Sequence, residues 1–177
     1  MKPPLVALAV EALYCGKSRL AAAGGSTAGA TPLRPRRAPL RPANPYNPLA
    51  MSDTVTRGIR VQVSSFYDAE RSSPQEDYYF FAYRVRITNL DSETVQLVSR
   101  EWIITDGNGE VQRVQGPGVV GDQPVLGRGD RYEYTSFCPL PTTVGSMQGS
   151  YRMVYQNGEG FDAVIAPFSL AVPHAVN

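Results

Sequence analysis

From Arg57 onward, apolar residues recur at every second position. In residues 57–67, "RGIRVQVSSFY", Ile59, Val61 and Val63 alternate with Arg60 and Gln62. In residues 79–89, "YFFAYRVRITN", Phe81, Tyr83, Val85 and Ile87 alternate with Ala82, Arg84, Arg86 and Thr88. Period two is the spacing of a strand with one face buried and the other in water, so the arginine-bearing face is predicted to be exposed. Residues 94–105, "TVQLVSREWIIT", begin with Val95 and Leu97 in one phase and end with Trp102 and Ile104 in the other. The slip near Ser99–Arg100 predicts a bulge or a change of sheet. "VQRVQ" (111–115), "RYEYTSF" (131–137), "SMQGSYRMVYQ" (146–156) and "FDAVIAPFSLAV" (161–172) read as further strands. "DGNGE" (106–110) and "NGEG" (157–160) read as hairpin turns, since Asn and Gly accept positive φ. Pro167 predicts an edge position or a bulge in the last strand. About seven strands with no helical pattern between them predict an all-β fold, an antiparallel two-sheet sandwich.

Residues 1–50 follow another pattern. They hold eight of the fifteen prolines, and seven basic residues against one acid. Proline at this density forbids helix and removes ladder donors, so 32–48 is predicted to be extended, with a short helix near residues 5–20. The segment reads as a Pro/Arg-rich disordered leader, Arg-rich and acid-poor like an organelle transit peptide. It reads equally as an extension upstream of a true start at Met51. The working domain is then 51–177, cytoplasmic, or in an organelle if 1–50 is a transit peptide.

Charge sharpens the division. The whole chain is near neutral, but residues 51–177 carry ten arginines against fifteen acids. A mildly acidic domain makes the nucleic-acid backbone a poor main partner. No apolar run approaches the roughly 18 residues of a membrane-spanning helix. The two cysteines, Cys15 and Cys138, have no disulfide or zinc spacing, which suits a reducing compartment.

One stretch carries a chemical signature. "VQGPGVVG" (114–121) places Gly116, Gly118 and Gly121 as G-x-G-x-x-G. A dinucleotide fingerprint needs a helix after the glycines and an acid about 20 residues on. Here "DQPVLGRGDRYEY" runs straight into another strand, so a Rossmann unit is excluded. Two readings stand: an anion nest of backbone N–H groups that takes a pyrophosphate, or glycines that supply unusual dihedrals to a link between strands.

Catalytic chemistry is thinly supplied. From Met51 on there is no lysine, and the one histidine, His174, lies near the C-terminus. No catalytic residue, metal site or cofactor is expected. Glu70, Glu76 and Asp77 flank a probable loop, and Asp106 and Glu110 bracket a turn that the Asp itself should cap. Cys138 and Trp102 read as core residues. In the run Tyr78–Phe81, two aromatic residues must face outward, which makes Tyr78 and Phe80 candidate partner contacts unless a loop covers them.

"SSFYDAERSSP", "YFFAYRVRITN", "REWIITDGNGE", "VQGPGVVGDQPVL", "YEYTSFCPLPTTVGSMQGSYRMV" and "FSLAVP" together resemble the ApaG family, over about residues 57–174. The resemblance implies a fibronectin type III-like sandwich. It also implies an association with cobalt and magnesium handling, and relatives fused to F-box and polymerase-interacting proteins as protein-binding modules. It brings no catalytic residues. Its glycine motif, matched at Gly116, Gly118 and Gly121, has been read as a pyrophosphate-binding element. The expectation is a small non-enzymatic domain that binds another protein or serves as an accessory factor. The alternative is a pyrophosphate- or nucleotide-binding module built on Gly116–Gly121.

Overall fold

The structure is a computed structural model, and it describes residues 50–173. The helix expected near residues 5–20, the extended segment 32–48 and His174 lie outside the described residues. Nine strands follow one another: β1 (Ala50–Thr56), β2 (Ile59–Ser73), β3 (Tyr78–Asn89), β4 (Val95–Asp106), β5 (Val111–Pro117), β6 (Val125–Leu126), β7 (Arg131–Leu140), β8 (Val144–Tyr155) and β9 (Gly160–Ala171). A single 3-10 turn, Pro74–Glu76, joins β2 to β3. Sheet A has the order β1-β2-β3-β7. Sheet B has the order β5-β4-β8-β9, with β6 also paired to β4. Every strand pairing is antiparallel. Among the described residues no helix is long and apolar enough to cross a membrane.

The two-sheet antiparallel sandwich is as expected, and the two extra strands have plain reasons for escaping notice. β6 is two residues long. β1 has its polarity reversed: Ser52 is buried while Met51 and Val55 are 70% and 55% exposed. An edge strand that points its apolar residues at solvent gives no usable alternation signal.

The predicted inward residues fill the space between the sheets. Ile59, Val61 and Val63 meet Phe81, Tyr83, Val85 and Ile87 within sheet A, and all are buried. Trp102, 1% exposed, bridges the layers. Its ring lies 5.5 Å edge-on from Tyr83 of sheet A, and 6.0 and 6.2 Å from Phe168 and Tyr151 of sheet B. Edge-to-face pairs of this kind contribute beyond their buried area. Asn89 is fully buried and satisfied, since its Nδ2 donates to the carbonyls of Glu93 and Leu126.

Two bulges set the phase of sheet B. The slip read near Ser99–Arg100 is a register shift between Leu97 and Ser99. The second lies in the β8–β9 pairing, where the segment from Ile165 to Phe168 faces Gly149 to Met147. Pro167 sits in that bulge and on an edge strand, so both readings of it hold. Gly149 is there because β8 and β4 approach closely: a Cβ on it would fall on the carbonyl oxygen of Glu101.

Past β5 the chain makes a tight two-residue hairpin. Val119 N–H donates to the Asp122 carbonyl (2.8 Å) and Asp122 N–H to the Val119 carbonyl (2.9 Å). The central pair, Val120 and Gly121, has φ of 50° and 84°. Positive φ at both positions is the geometry that Asn-Gly favours, whereas a β-branched residue is strained in it.

Two measurements of stability check these features. Gly149→Ala is expected to destabilise the fold by about 2–3 kcal/mol in urea unfolding, because backbone must move to admit the methyl group. Val120→Asn is expected to raise stability by about 1 kcal/mol, by relieving a left-handed β-branched residue.

Candidate functional site

The glycine motif does not form one structural unit. Gly116 lies within β5, paired with Arg100 of β4. Gly118 begins the loop at φ 54°, and Gly121 sits at the hairpin tip. An anion nest needs several free N–H groups turned to one point. Here Gly118 N–H donates to the Val98 carbonyl (2.9 Å), Val119 and Asp122 donate to each other's carbonyls, and Pro117 has no donor. The carbonyls of Pro117 and Gly118 point instead at Arg100, whose Nη1 donates to them at 3.0 and 2.9 Å. Gly116 leaves room for that guanidinium, since a Cβ would stand 3.2–3.3 Å from its atoms. Of the two readings of the motif, the geometry supports the one in which the glycines serve the chain's own packing. The loop turns acceptors inward and holds a cation, and that cation is a side chain of the neighbouring strand.

Arg100 owes its place to the bulge in β4, which puts it in phase with the inward-facing Trp102 and Ile104. Beside it stand buried tyrosines. The hydroxyls of Tyr134 and Tyr151 share a hydrogen bond of 2.5 Å. Burial raises the phenol pKa of Tyr83, Tyr134 and Tyr151, and the positive charge of Arg100 opposes this only in part. Tyr132 donates to the Asp122 carboxylate (2.8 Å), and burial, then Asp122, pushes its phenol up to about 12. Burial also pushes the Cys138 thiol up to about 12, which leaves it protonated and a poor nucleophile. None of these groups is tuned toward acid–base or nucleophilic work near neutral pH.

The carboxylates serve local structure. Asp106 Oδ1 accepts from the N–H groups of Asn108 and Glu110 (2.9 and 3.0 Å) and so caps its own turn, as expected. Glu70 and Glu76 are exposed beside the 3-10 turn, and Asp77 closes it with φ 50°. Among the described residues no three His, Cys, Asp or Glu side chains gather into a ligand set.

The outer face of sheet A is the other candidate surface. The register aligns its outward residues in rows across the strands. Val55, Arg60, Thr88 and Arg131 form one row. Asp53, Gln62, Arg86 and Glu133 form the next, and Met51, Ser64, Arg84 and Thr135 the third. Beyond them lie Phe66, Ala82 and Phe137, then Asp68, Phe80 and Pro139. One expectation is corrected here. Phe80 faces outward but is only 7% exposed. The far end of β2 folds over it: its N–H donates to Ser72 Oγ (2.9 Å), the Arg71 guanidinium lies 5.3 Å from its ring, and Phe137 stacks on it at 5.1 Å. Tyr78, 6.5 Å from Phe80, is half-buried at the border of this cluster. The face also holds Met51, Phe66, Phe137, Arg84 and Arg131, none of which the sequence marks as a partner contact. Only the pairing of β1, β2, β3 and β7 brings them together.

Comparison with known proteins agrees with this architecture. A family model for the ApaG domain matches residues 69–155. The Protein ApaG of Methylobacterium nodulans is 57% identical over 119 residues, which is 67% of this chain and 92% of that protein. That of Anaeromyxobacter dehalogenans strain 2CP-C is 54% identical over 127 residues, 72% of this chain and 100% of its own length. A crystal structure of a Bordetella pertussis protein assigned as ApaA superposes with a TM-score of 0.65 at 51% identity, covering 66% of this chain and 95% of that one. The fold they share is the fibronectin type III-like sandwich. With relatives matched along nearly their whole length, and the family's domain matched within it, the chain belongs to the ApaG family.

Proposed function

We propose that this chain acts as a non-catalytic protein-interaction module, and that the outer face of sheet A receives the partner. The observation that carries the reading is the composition of that face. Aromatic residues, Met and Arg are the side chains enriched at protein interfaces, and Lys is depleted there. The face combines Tyr78, Phe66 and Phe137 with Met51 and four arginines, and it has no lysine. Met51 and Val55 supply exposed apolar surface along its β1 edge. A pyrophosphate or nucleotide at Gly116–Gly121 has weaker support, because the N–H groups of Gly118 and Val119 are committed, Pro117 has none, and the carbonyls of Pro117 and Gly118 face Arg100. On this reading the family's association with cobalt and magnesium handling runs through a partner protein. A cytoplasmic setting fits the free thiol of Cys138.

Site-specific photo-crosslinking in the native cell tests the assignment. A photoreactive residue at Met51 or Thr135 is expected to form adducts with a defined protein, whereas one at Val125, on β6 of sheet B, is not. Absence of adducts from both sheet A positions, or the same adducts from all three, would overturn the reading.

A further inference from the structure

The interaction reading can be taken further, because the charge of this domain is segregated. We infer that the partner presents an acidic, extended segment to the outer face of sheet A; this rests on the reading of that face as the docking surface. The first three rows of the face hold Arg60, Arg84, Arg86 and Arg131 against two acids, Asp53 and Glu133. Everything else from Met51 to the C-terminus carries six arginines against thirteen acids. A positive face on an otherwise negative domain orients an incoming partner and repels the wrong approach.

The four guanidiniums divide into two kinds. Arg60 is held by Asp53, and Arg86 by Glu133 through its Nε at 2.6 Å. Arg84 and Arg131 are exposed and form no ion pair with any described residue. These two are the cations left for a partner. They lie one strand and two rows apart, about 14 Å between Cα atoms at ordinary sheet spacings. In an extended chain, residues i and i+4 are also about 14 Å apart. Acidic side chains at that spacing meet both arginines at once. Ser64 and Thr135 flank Arg84 as hydroxyl partners for the same carboxylates. Arg is the side chain suited to such pairing, since its planar fork binds a carboxylate through two parallel hydrogen bonds.

Amide NMR of the full chain titrated with a short poly-glutamate peptide tests the inference. Reading shifts residue by residue separates this face from the basic residues of 1–50, which attract the same peptide. Saturable shifts are expected at Arg84, Arg86, Arg131 and Thr135, shrinking as salt is raised. The double variant Arg84→Glu/Arg131→Glu is expected to weaken binding at these positions about tenfold or more. Arg113→Glu, on sheet B, is expected to leave it unchanged. Both sheet A arginines are exposed and make no ion pair, so the double variant should keep the fold. Shifts confined to residues 1–50, equal loss with Arg113→Glu, or tighter binding of an oligothymidylate of equal length would overturn the acidic-peptide assignment. Photo-crosslinks from Met51 and Thr135 that persist undiminished in the double variant would also overturn it, while leaving the docking face in place.

Discussion

One extra residue in β4, between Leu97 and Ser99, organises much of the molecule. Without it the alternation that buries Val95 and Leu97 would turn Trp102 to solvent. With it, Trp102 and Ile104 enter the core, and Trp102 joins the two sheets through Tyr83, Tyr151 and Phe168. The same shift carries Arg100 to the inner side of the sheet. A guanidinium there needs acceptors, since an unpaired buried charge is costly. The carbonyls of Pro117 and Gly118 supply them, and Gly116 leaves room. Bulge, tryptophan, arginine and glycine loop are therefore one construction, and the loop's composition follows from what the bulge brings inside.

This dependence explains what could be read in advance. Strands with one clean phase, such as β3 with Phe81, Tyr83, Val85 and Ile87, were legible because burial alone fixes their alternation. The bulge was visible as a slip of phase. The role of the glycines was not, because it depends on Arg100, which only the β4–β5 register sets against Gly116. Which of the two readings of Phe80 holds, exposed or covered, is hidden in the sequence for a related reason. An outward-facing residue is normally exposed, but the continuation of β2 past Asp68 covers it, and nothing local to Phe80 signals that. The candidate docking face was half legible. Its arginines were visible as the polar phase of β3, but their alignment with Arg60 and Arg131 required knowing which strands are neighbours.

Net charge conceals the feature that bears most on recognition. A domain slightly on the acidic side gives no hint of a preferred partner, yet four of its ten arginines stand in three neighbouring rows on the outer face of sheet A, against two acids, while most of its acids lie elsewhere. The acids have structural duties there, as Asp106 and Asp130 show by accepting backbone N–H groups within their own turns. Turn chemistry thus places much of the negative charge at the ends and loops of the sandwich, and cations stay in excess over Asp53 and Glu133 in the first three rows of sheet A.

The reversed polarity of β1 has a thermodynamic consequence. This strand adds little to the core, and Ser52 Oγ is buried without a hydrogen-bond partner. Its attachment rests on the ladder to β2 and on side contacts such as the Val164 N–H donated to Thr56 Oγ1. An edge held this way opens at a lower free-energy cost than the interior strands. Met51 and Val55, which gain nothing from folding while they face water, would gain it when a partner covers them. If the face takes a partner as proposed, ordering of β1 and occupation of the face are linked equilibria, and the residues that look misplaced in the isolated domain are those whose burial would favour association.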